Sequence, residues 1–496
     1  MRGTLGVPRR LHVIKTTMHD ALKRQTPKPI PLGYALIPVI TLIGLIAISL
    51  LSFEGEAHIP LVMASAVAAT VGVAFGHAWK SIEEGILRGI QIGLKAILIL
   101  CVIGIMIGTW IAAGIIPLLI YHGLQILSPS IFLTAACLIC AVVSLATGSS
   151  WTTASTVGIG LMGVATGLNV PAPMAAGAVI SGAYFGDKMS PLSDSTNLAP
   201  AVAGSELFEH IRYMLYTTLP ALAITLLLYT VLGLRGFEGT VHTSQVTSMT
   251  ETLQAHFSLS PVLVLPPLLV IAMVILRWQA LPALLTAALL GGLLAVWIQD
   301  TSPAAIFAVA HHGFVAETGN ADVDTLLSHG GLDSMMNTIS LILCALTFGG
   351  IMEQTGMLAV FANATLKLAR STGSLVLTTV ATCLGINMIA PDQYLSIIIP
   401  GRMYREEYHK RGLHAKNLSR TLEDAGTMTS PLVAWNSCGA FMAATLAVSP
   451  MAYFPYAFLN WCTPIISIFL AFAGWRIAKL HGVDQVERTK TESEGG

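Results

Sequence analysis

The densest run of polar side chains in an otherwise apolar setting is Ser-Gly-Ala-Tyr-Phe-Gly-Asp-Lys-Met-Ser-Pro-Leu-Ser-Asp-Ser-Thr-Asn-Leu-Ala, residues 181–199. Small-residue stretches flank it at 171–182 and 198–204. Asp187 and Asp194, with Ser190, Ser193, Ser195, Thr196 and Asn197, supply hard oxygen donors. Such ligands suit a dehydrated alkali cation, as soft Cys and His ligands suit zinc. Gly186 and Pro191 predict a helix break at the cluster, which would free backbone carbonyls for the same purpose. An ionised carboxylate deep in a bilayer costs about 2.5–3.5 kcal/mol on insertion, so its presence there points to function. Burial favours the protonated carboxyl and a bound cation favours the ionised one, so one group can alternate between H⁺ and Na⁺. Asp194 has no basic neighbour in sequence and is the favoured carrier. Lys188 beside Asp187 leaves that acid open to a structural ion pair as well as to a cation.

Three further regions share this character. The stretch 147–153 offers hydroxyls without charge, among them Ser149 and Thr152. The stretch 387–393 carries Asn387, Asp392 and Gln393, and Asp392 reads equally as a titrating group or as a helix cap. The stretch 427–437 ends in Asn436 and Ser437 and holds no carboxylate. Competing signals are weak. Gly158-Ile-Gly-Leu-Met-Gly163 fits a nucleotide-binding spacing but has no strand before it. Cys137 and Cys140 stand in an apolar run that suits packing. His311 and His312 read as solvated in an acidic region. No Walker lysine, zincin or nucleophile-elbow motif is present, so neither an enzyme nor a cofactor is expected.

The elements that must position these residues follow from composition. Of 496 residues, 54% are hydrophobic and 10% charged, with a mean hydropathy of +0.73. A soluble chain carries about 25% charged residues. The expectation is therefore an all-α polytopic membrane protein whose partner is the lipid bilayer. A net charge of zero leaves no nucleic-acid footprint. Residues 1–33 hold seven Lys or Arg against one acid, Asp20, and predict a cytoplasmic tail. A first transmembrane repeat is expected over 34–235, an external linker over 236–260, a second repeat over 261–475, and a cytoplasmic C-terminal tail over 476–496. The region 298–333 has acids and no Lys or Arg and reads as external. The run holding Arg402, Arg405, Lys410, Arg411, Lys416 and Arg420 reads as a cytoplasmic loop.

On that assignment 375–400 begins and ends in the cytosol, as a re-entrant hairpin does. Sliding the chain by about 240 residues aligns 114–116 with 356–358, 147–153 with 387–393, 189–192 with 429–432, and Tyr213 and Tyr216 with Tyr453 and Tyr456. The counterpart hairpin, 131–160, would open outside. The expected architecture is two inverted repeats with about ten transmembrane helices, two re-entrant hairpins and broken helices at the midplane, the plan of secondary transporters.

The run 186–199 closely resembles the signature of the NhaC-type sodium–proton antiporter family, and the likeness extends over most of 34–475. The resemblance implies exchange of Na⁺, and of Li⁺, for H⁺ across the cytoplasmic membrane by alternating access. It passes the motif roles to Asp187, Ser190, Ser193, Asp194, Thr196 and Asn197, with Asp194 foremost and Asp187 beside it as Na⁺ ligands. Related exchangers couple ions to malate, lactate or amino acids, and nothing in the sequence separates those substrates. A homodimer is equally left open.

Overall fold

The structure, a computed structural model, describes residues 27–53, 55–236 and 243–480. Most of the expected N-terminal tail, residues 237–242 of the linker and residues 481–496 lie outside the described residues. Lipid offers no hydrogen-bond partners, so a spanning chain must close its backbone N–H and C=O groups within each segment. The described residues accordingly form helices, with one isolated bridge between Leu413 and Lys479 and no strand.

In order these are α1 (Leu32–Ser52), α2 (His58–Ala74), α3 (Trp79–Ala112), α4 (Ile115–Ile126) and α5 (Pro129–Thr147). Next, α6 (Ser150–Thr153) runs through a π-helical turn, Ala154–Gly158, into α7 (Ile159–Gly167). Then follow α8 (Ala172–Met189), α9 (Asp194–Ala203), α10 (Leu207–Gly236), α11 (Thr243–His256), α12 (Leu265–Ile275) and α13 (Ala280–Ile298). The short α14 (Pro303–His312) and α15 (Ala321–Leu327) precede α16 (Met336–Gln354), α17 (Met357–Leu366), α18 (Thr372–Ile389) and α19 (Gln393–Lys410). Last come α20 (Ala415–Leu422) with its π-helical turn Glu423–Thr427, α21 (Ser437–Leu446), α22 (Pro450–Tyr453) and α23 (Phe458–Phe472).

Among the described residues, α1, α3, α5, α10, α13, α16 and α18 are long and apolar enough to cross a membrane. Two sharply bent pairs, α11 with α12 and α21 with α22, raise the number to nine. The chain is therefore a multi-pass membrane protein. The apolar run 59–75 forms α2 at only 17 residues, roughly 25 Å at 1.5 Å per residue. Part of the expected linker is helix α11, which buries Met249 and Leu253.

Two glycines set how closely α5 and α8 approach. A Cβ on Gly182 would lie 2.1 Å from the Cys137 carbonyl oxygen, and one on Gly186 would lie 2.3 Å from the Leu145 nitrogen. Gly186, expected to break the helix, therefore sits inside α8 and admits the backbone of α5. The break falls after Met189, at Ser190-Pro191-Leu192-Ser193, where Pro191 has no N–H to continue the ladder. The glycines of 158–163 pack likewise: Cβ atoms on Gly160 and Gly163 would meet Leu119 and Ile120.

The two halves present the same series of elements. Gly114 and Gly356 both take left-handed φ, at 83° and 75°, between a long helix and a short one. A helical hairpin follows each, capped at its tip by Ser149 in the first half and Asp392 in the second. Each half then has a broken helix whose second piece is capped by Ser193 or Asn436. One expectation needs correction: the basic run from Arg402 to Arg420 is not a loop. Arg402, Arg405 and Lys410 belong to α19, and Lys416 and Arg420 to α20, where Arg420 is fully buried.

Candidate functional site

The four breaks in the helices converge on one cavity of about 740 Å³. Its lining joins Ser149, Ser150 and Thr152 from the first hairpin tip, Asp187 from the end of α8, and Ser193, Asp194, Ser195 and Asn197 from the start of α9. Asp392, Gln393 and Tyr394 from the second tip and Ser437 from α21 complete the polar wall. Residues from distant parts of the chain meet here because each break ends a helix with unpaired backbone groups, and polar caps must satisfy them.

Each cap is explicit. Ser149 Oγ accepts from the Thr152 N–H at 3.1 Å, and the Thr152 hydroxyl donates to the same oxygen. Ser193 Oγ accepts from the Thr196 N–H at 3.4 Å and lies 3.1 Å from Ser195 Oγ. The Asp392 carboxylate accepts from the N–H groups of Tyr394 and Leu395 at 2.8 and 3.1 Å. Asn436 Oδ1 accepts from the Cys438 N–H at 3.0 Å. Of the two roles open to Asp392, the geometry displays the cap, on a carboxylate that also lines the cavity.

Asp187, like Asp392, is a carboxylate at the cavity wall. It is buried, yet it lines the cavity, and its Oδ2 accepts from both the hydroxyl and the N–H of Ser150, at 2.6 and 3.1 Å. Those two donors fix the direction of the carboxylate. Lys188 does not pair with Asp187, although it follows it directly. Its ammonium is fully buried and bonds instead to Asp424 Oδ1, in the π-helical turn after α20. Asp194 differs from the expectation of a desolvated carrier. Its side chain is 67% exposed and lies 3.3 Å from the Lys95 ammonium of α3.

The remaining expected residues brace the site. Ser190 Oγ accepts from the Leu192 N–H, and the Thr196 hydroxyl donates to the carbonyls of Lys188 and Asp187 at 2.9 and 3.2 Å. Asn197 donates to the carbonyls of Pro191 and Ser193. Asn387 donates to the Gly426 carbonyl and to Thr429, and accepts from Asn436. Ser190, Thr196, Asn387 and Asn436 thus lie behind the cavity wall, not on it.

Sequence reasoning passed over Ser150, Lys95, Arg420, Glu423 and Asp424. Ser150 lay inside the hydroxyl run already singled out. Glu423 and Asp424 were hidden by the dense basic residues before them. The repeat spacing could have found them: Ser149 to Asp392 and Ser193 to Asn436 are both 243 residues. The same shift places the buried helix α8 over α20 and its turn. Outside the site, His311, His312 and Asp333 are close enough to share a metal ion, all of them exposed, and the two imidazoles bond to the carboxylate itself.

Residues 182–475, more than half of the chain, match the Na⁺/H⁺ antiporter family. The Na⁺/H⁺ antiporter NhaC of Alkalihalophilus pseudofirmus is 39% identical over 91% of this chain and 98% of its own length. The NhaC of Bacillus subtilis is 40% identical over 84% of this chain and 92% of its own. An arginine/ornithine antiporter, ArcD of Halobacterium salinarum, is 38% identical over 90% of this chain and 92% of its own.

Proposed function

The chain belongs to the Na⁺/H⁺ antiporter family, and from that membership and the cavity's chemistry we propose that it exchanges Na⁺, and Li⁺, for H⁺ across the cytoplasmic membrane. The carrying observation is Asp187: a buried carboxylate at the wall of a cavity that also presents the hydroxyls of Ser149, Ser150 and Ser193, with one oxygen already fixed by Ser150. Na⁺ binds there among carboxylate and hydroxyl oxygens, the hard donors it prefers. Protonation of the carboxylate removes the charge that holds the ion. Alternating access then follows from the two halves acting as inverted repeats about the site, with both termini in the cytosol.

The test is Na⁺-dependent dissipation of a pH gradient in proteoliposomes. Asp187→Asn, which keeps the shape and deletes the charge, is expected to fall to the rate of empty liposomes. Undiminished exchange in that variant overturns the assignment of Asp187.

A second reading is favoured by the size and charge of the cavity. At about 740 Å³ with Lys95 and Arg277 in its lining, it falls in the ~300–1,000 Å³ range of organic-ligand pockets. A small carboxylate or an amino acid could be carried with the ion, as the relation to an arginine/ornithine antiporter also suggests. Uptake of labelled malate, lactate and arginine with and without a Na⁺ gradient distinguishes the two. Uptake of none of them leaves ion exchange alone.

A further inference from the structure

Away from the cavity, the end of α14 meets the 3₁₀ turn Asp333–Met335 that leads into α16, and three metal-ligating side chains come together there. His312 Nδ1 lies 2.7 Å from Asp333 Oδ2, and His311 Nε2 lies 3.3 Å from Asp333 Oδ1. The two imidazoles stack, with ring centroids 4.2 Å apart and planes 26° from parallel. One ligand atom from each of the three residues falls within 4.8 Å of the others. Bonds of about 2.0–2.1 Å to a common ion set neighbouring ligand atoms about 3.0–3.4 Å apart in an octahedral or tetrahedral shell. Both histidine–aspartate separations come within a few tenths of an ångström of that edge.

The backbone holds these ligands together by itself. The Ala310 carbonyl accepts from the Leu332 N–H at 3.0 Å, and the Phe314 N–H donates to the His329 carbonyl at 3.1 Å. The Gly331 N–H donates to the Gly104 carbonyl of α3 at 2.7 Å. A Cβ on Gly104 would lie 2.5 Å from the Gly331 carbonyl oxygen, and one on Gly108 would lie 2.8 Å from that of Val309. α3 is thus the floor on which both ligand-bearing segments rest. His311 and His312 occupy the last turn of α14, where the partial negative charge of the helix end favours a cation. The stretch 298–333 contains no Lys or Arg to compete for Asp333. The three side chains are 52–66% exposed, so an ion reaches them from water and fills its remaining positions with water.

We propose that His311, His312 and Asp333 bind one divalent transition-metal ion, Zn²⁺ foremost, which staples the end of α14 to the head of α16 over α3. Imidazole with carboxylate suits Zn²⁺, Cu²⁺ and Ni²⁺, whereas Mg²⁺ and Ca²⁺ take oxygen ligands. Three protein ligands and an open, water-filled position are a common Zn²⁺ shell. Each imidazole binds in its neutral form: His312 keeps its hydrogen on Nε2 and offers Nδ1, while His311 keeps its own on Nδ1 and offers Nε2. The two imidazole contacts to Asp333 then give way to three bonds to the ion. None of the three residues lines the cavity, so the site stands independently of the Na⁺/H⁺ reading.

The experiment titrates Zn²⁺ into the tag-free, metal-stripped full chain in detergent by isothermal calorimetry, with unfolding midpoints measured alongside. The wild type is expected to bind one equivalent at this site and to rise in unfolding midpoint, since an ion that binds only the folded chain stabilises it. Excess Mg²⁺ is expected to leave the isotherm unchanged. His311→Ala, His312→Ala and Asp333→Asn are each expected to weaken Zn²⁺ binding at least about tenfold, the lower end of the loss caused by removing a residue that merely orients a metal ligand. With Co²⁺ in place of Zn²⁺, visible absorption bands are expected in the wild type and are lost in the double variant His311→Ala/His312→Ala. A wild-type unfolding midpoint in EDTA shows that a variant is folded. No Zn²⁺ bound by the wild type, an unmoved affinity in His312→Ala, or displacement of Zn²⁺ by Mg²⁺ overturns the proposal. If the alanine variant does not fold, an unmoved affinity in His312→Gln overturns it instead.

Discussion

Substitution of Lys188 by methionine keeps an unbranched stem of similar length and deletes the ammonium, leaving Asp424 buried with Arg420 and Thr217 as its remaining partners. Removing one member of a buried ion pair costs about 3–5 kcal/mol, because the other charge stays desolvated without its counterion. Arg420, at 3.8 Å from the second carboxylate oxygen, retains part of the attraction, so the lower end applies. About 3 kcal/mol corresponds to a shift on the order of a hundredfold in the folding equilibrium. Asp424→Leu alone strands Lys188 and is expected to cost a similar amount. The double variant Lys188→Met/Asp424→Leu removes both charges and is expected to approach wild-type stability, since apolar replacement of a buried pair is often neutral or stabilising. Reversible unfolding in mixed micelles, titrated with SDS, gives all four corners of the cycle. A Lys188→Met protein as stable as the wild type would refute the reasoning, as would a double variant no more stable than either single one.

The same logic ranks the acids of the cavity. The Lys95–Asp194 pair is two-thirds exposed, and such pairs contribute about 0–1 kcal/mol. Asp194→Asn is therefore expected to change the initial rate of Na⁺/H⁺ exchange less than about fivefold, where Asp187→Asn abolishes it; abolition by Asp194→Asn would move the carrier role to Asp194. Asp392→Ala loses both acceptor contacts at the start of α19 and is expected to cost about 1–2 kcal/mol, read as a lower unfolding midpoint. Asp392→Asn retains a capping oxygen, and a midpoint as low as that of the alanine variant would exclude the cap as the reason.

Much of the fold was legible along the chain because bilayer spans are a one-dimensional signal. Apolar runs such as 281–297 and 338–353 coincide with α13 and α16 to within a few residues. The site's first component was legible for a different reason: a dense polar run inside apolar sequence is costly wherever it is buried, so the stretch 181–199 stood out. Elsewhere the same reasoning misled. The basic residues from Arg402 to Arg420 read as a loop, yet Arg402, Arg405, Lys410, Lys416 and Arg420 lie on α19 and α20, and Arg420 is buried beside Asp424.

The sequence by itself determined the solvent, the helical class, the family and the short stretches in which helices must break, since each depends on local composition or on a contiguous motif. Only the tertiary structure decided which carboxylate meets which partner. Asp187 turned to Ser150, Lys188 turned to Asp424, and Asp194 met Lys95 on α3. Residues adjacent on a helix point about 100° apart, so neighbours in sequence such as Asp187 and Lys188 face different elements. Electrostatic pairing is settled by those facing elements, from hundreds of residues away.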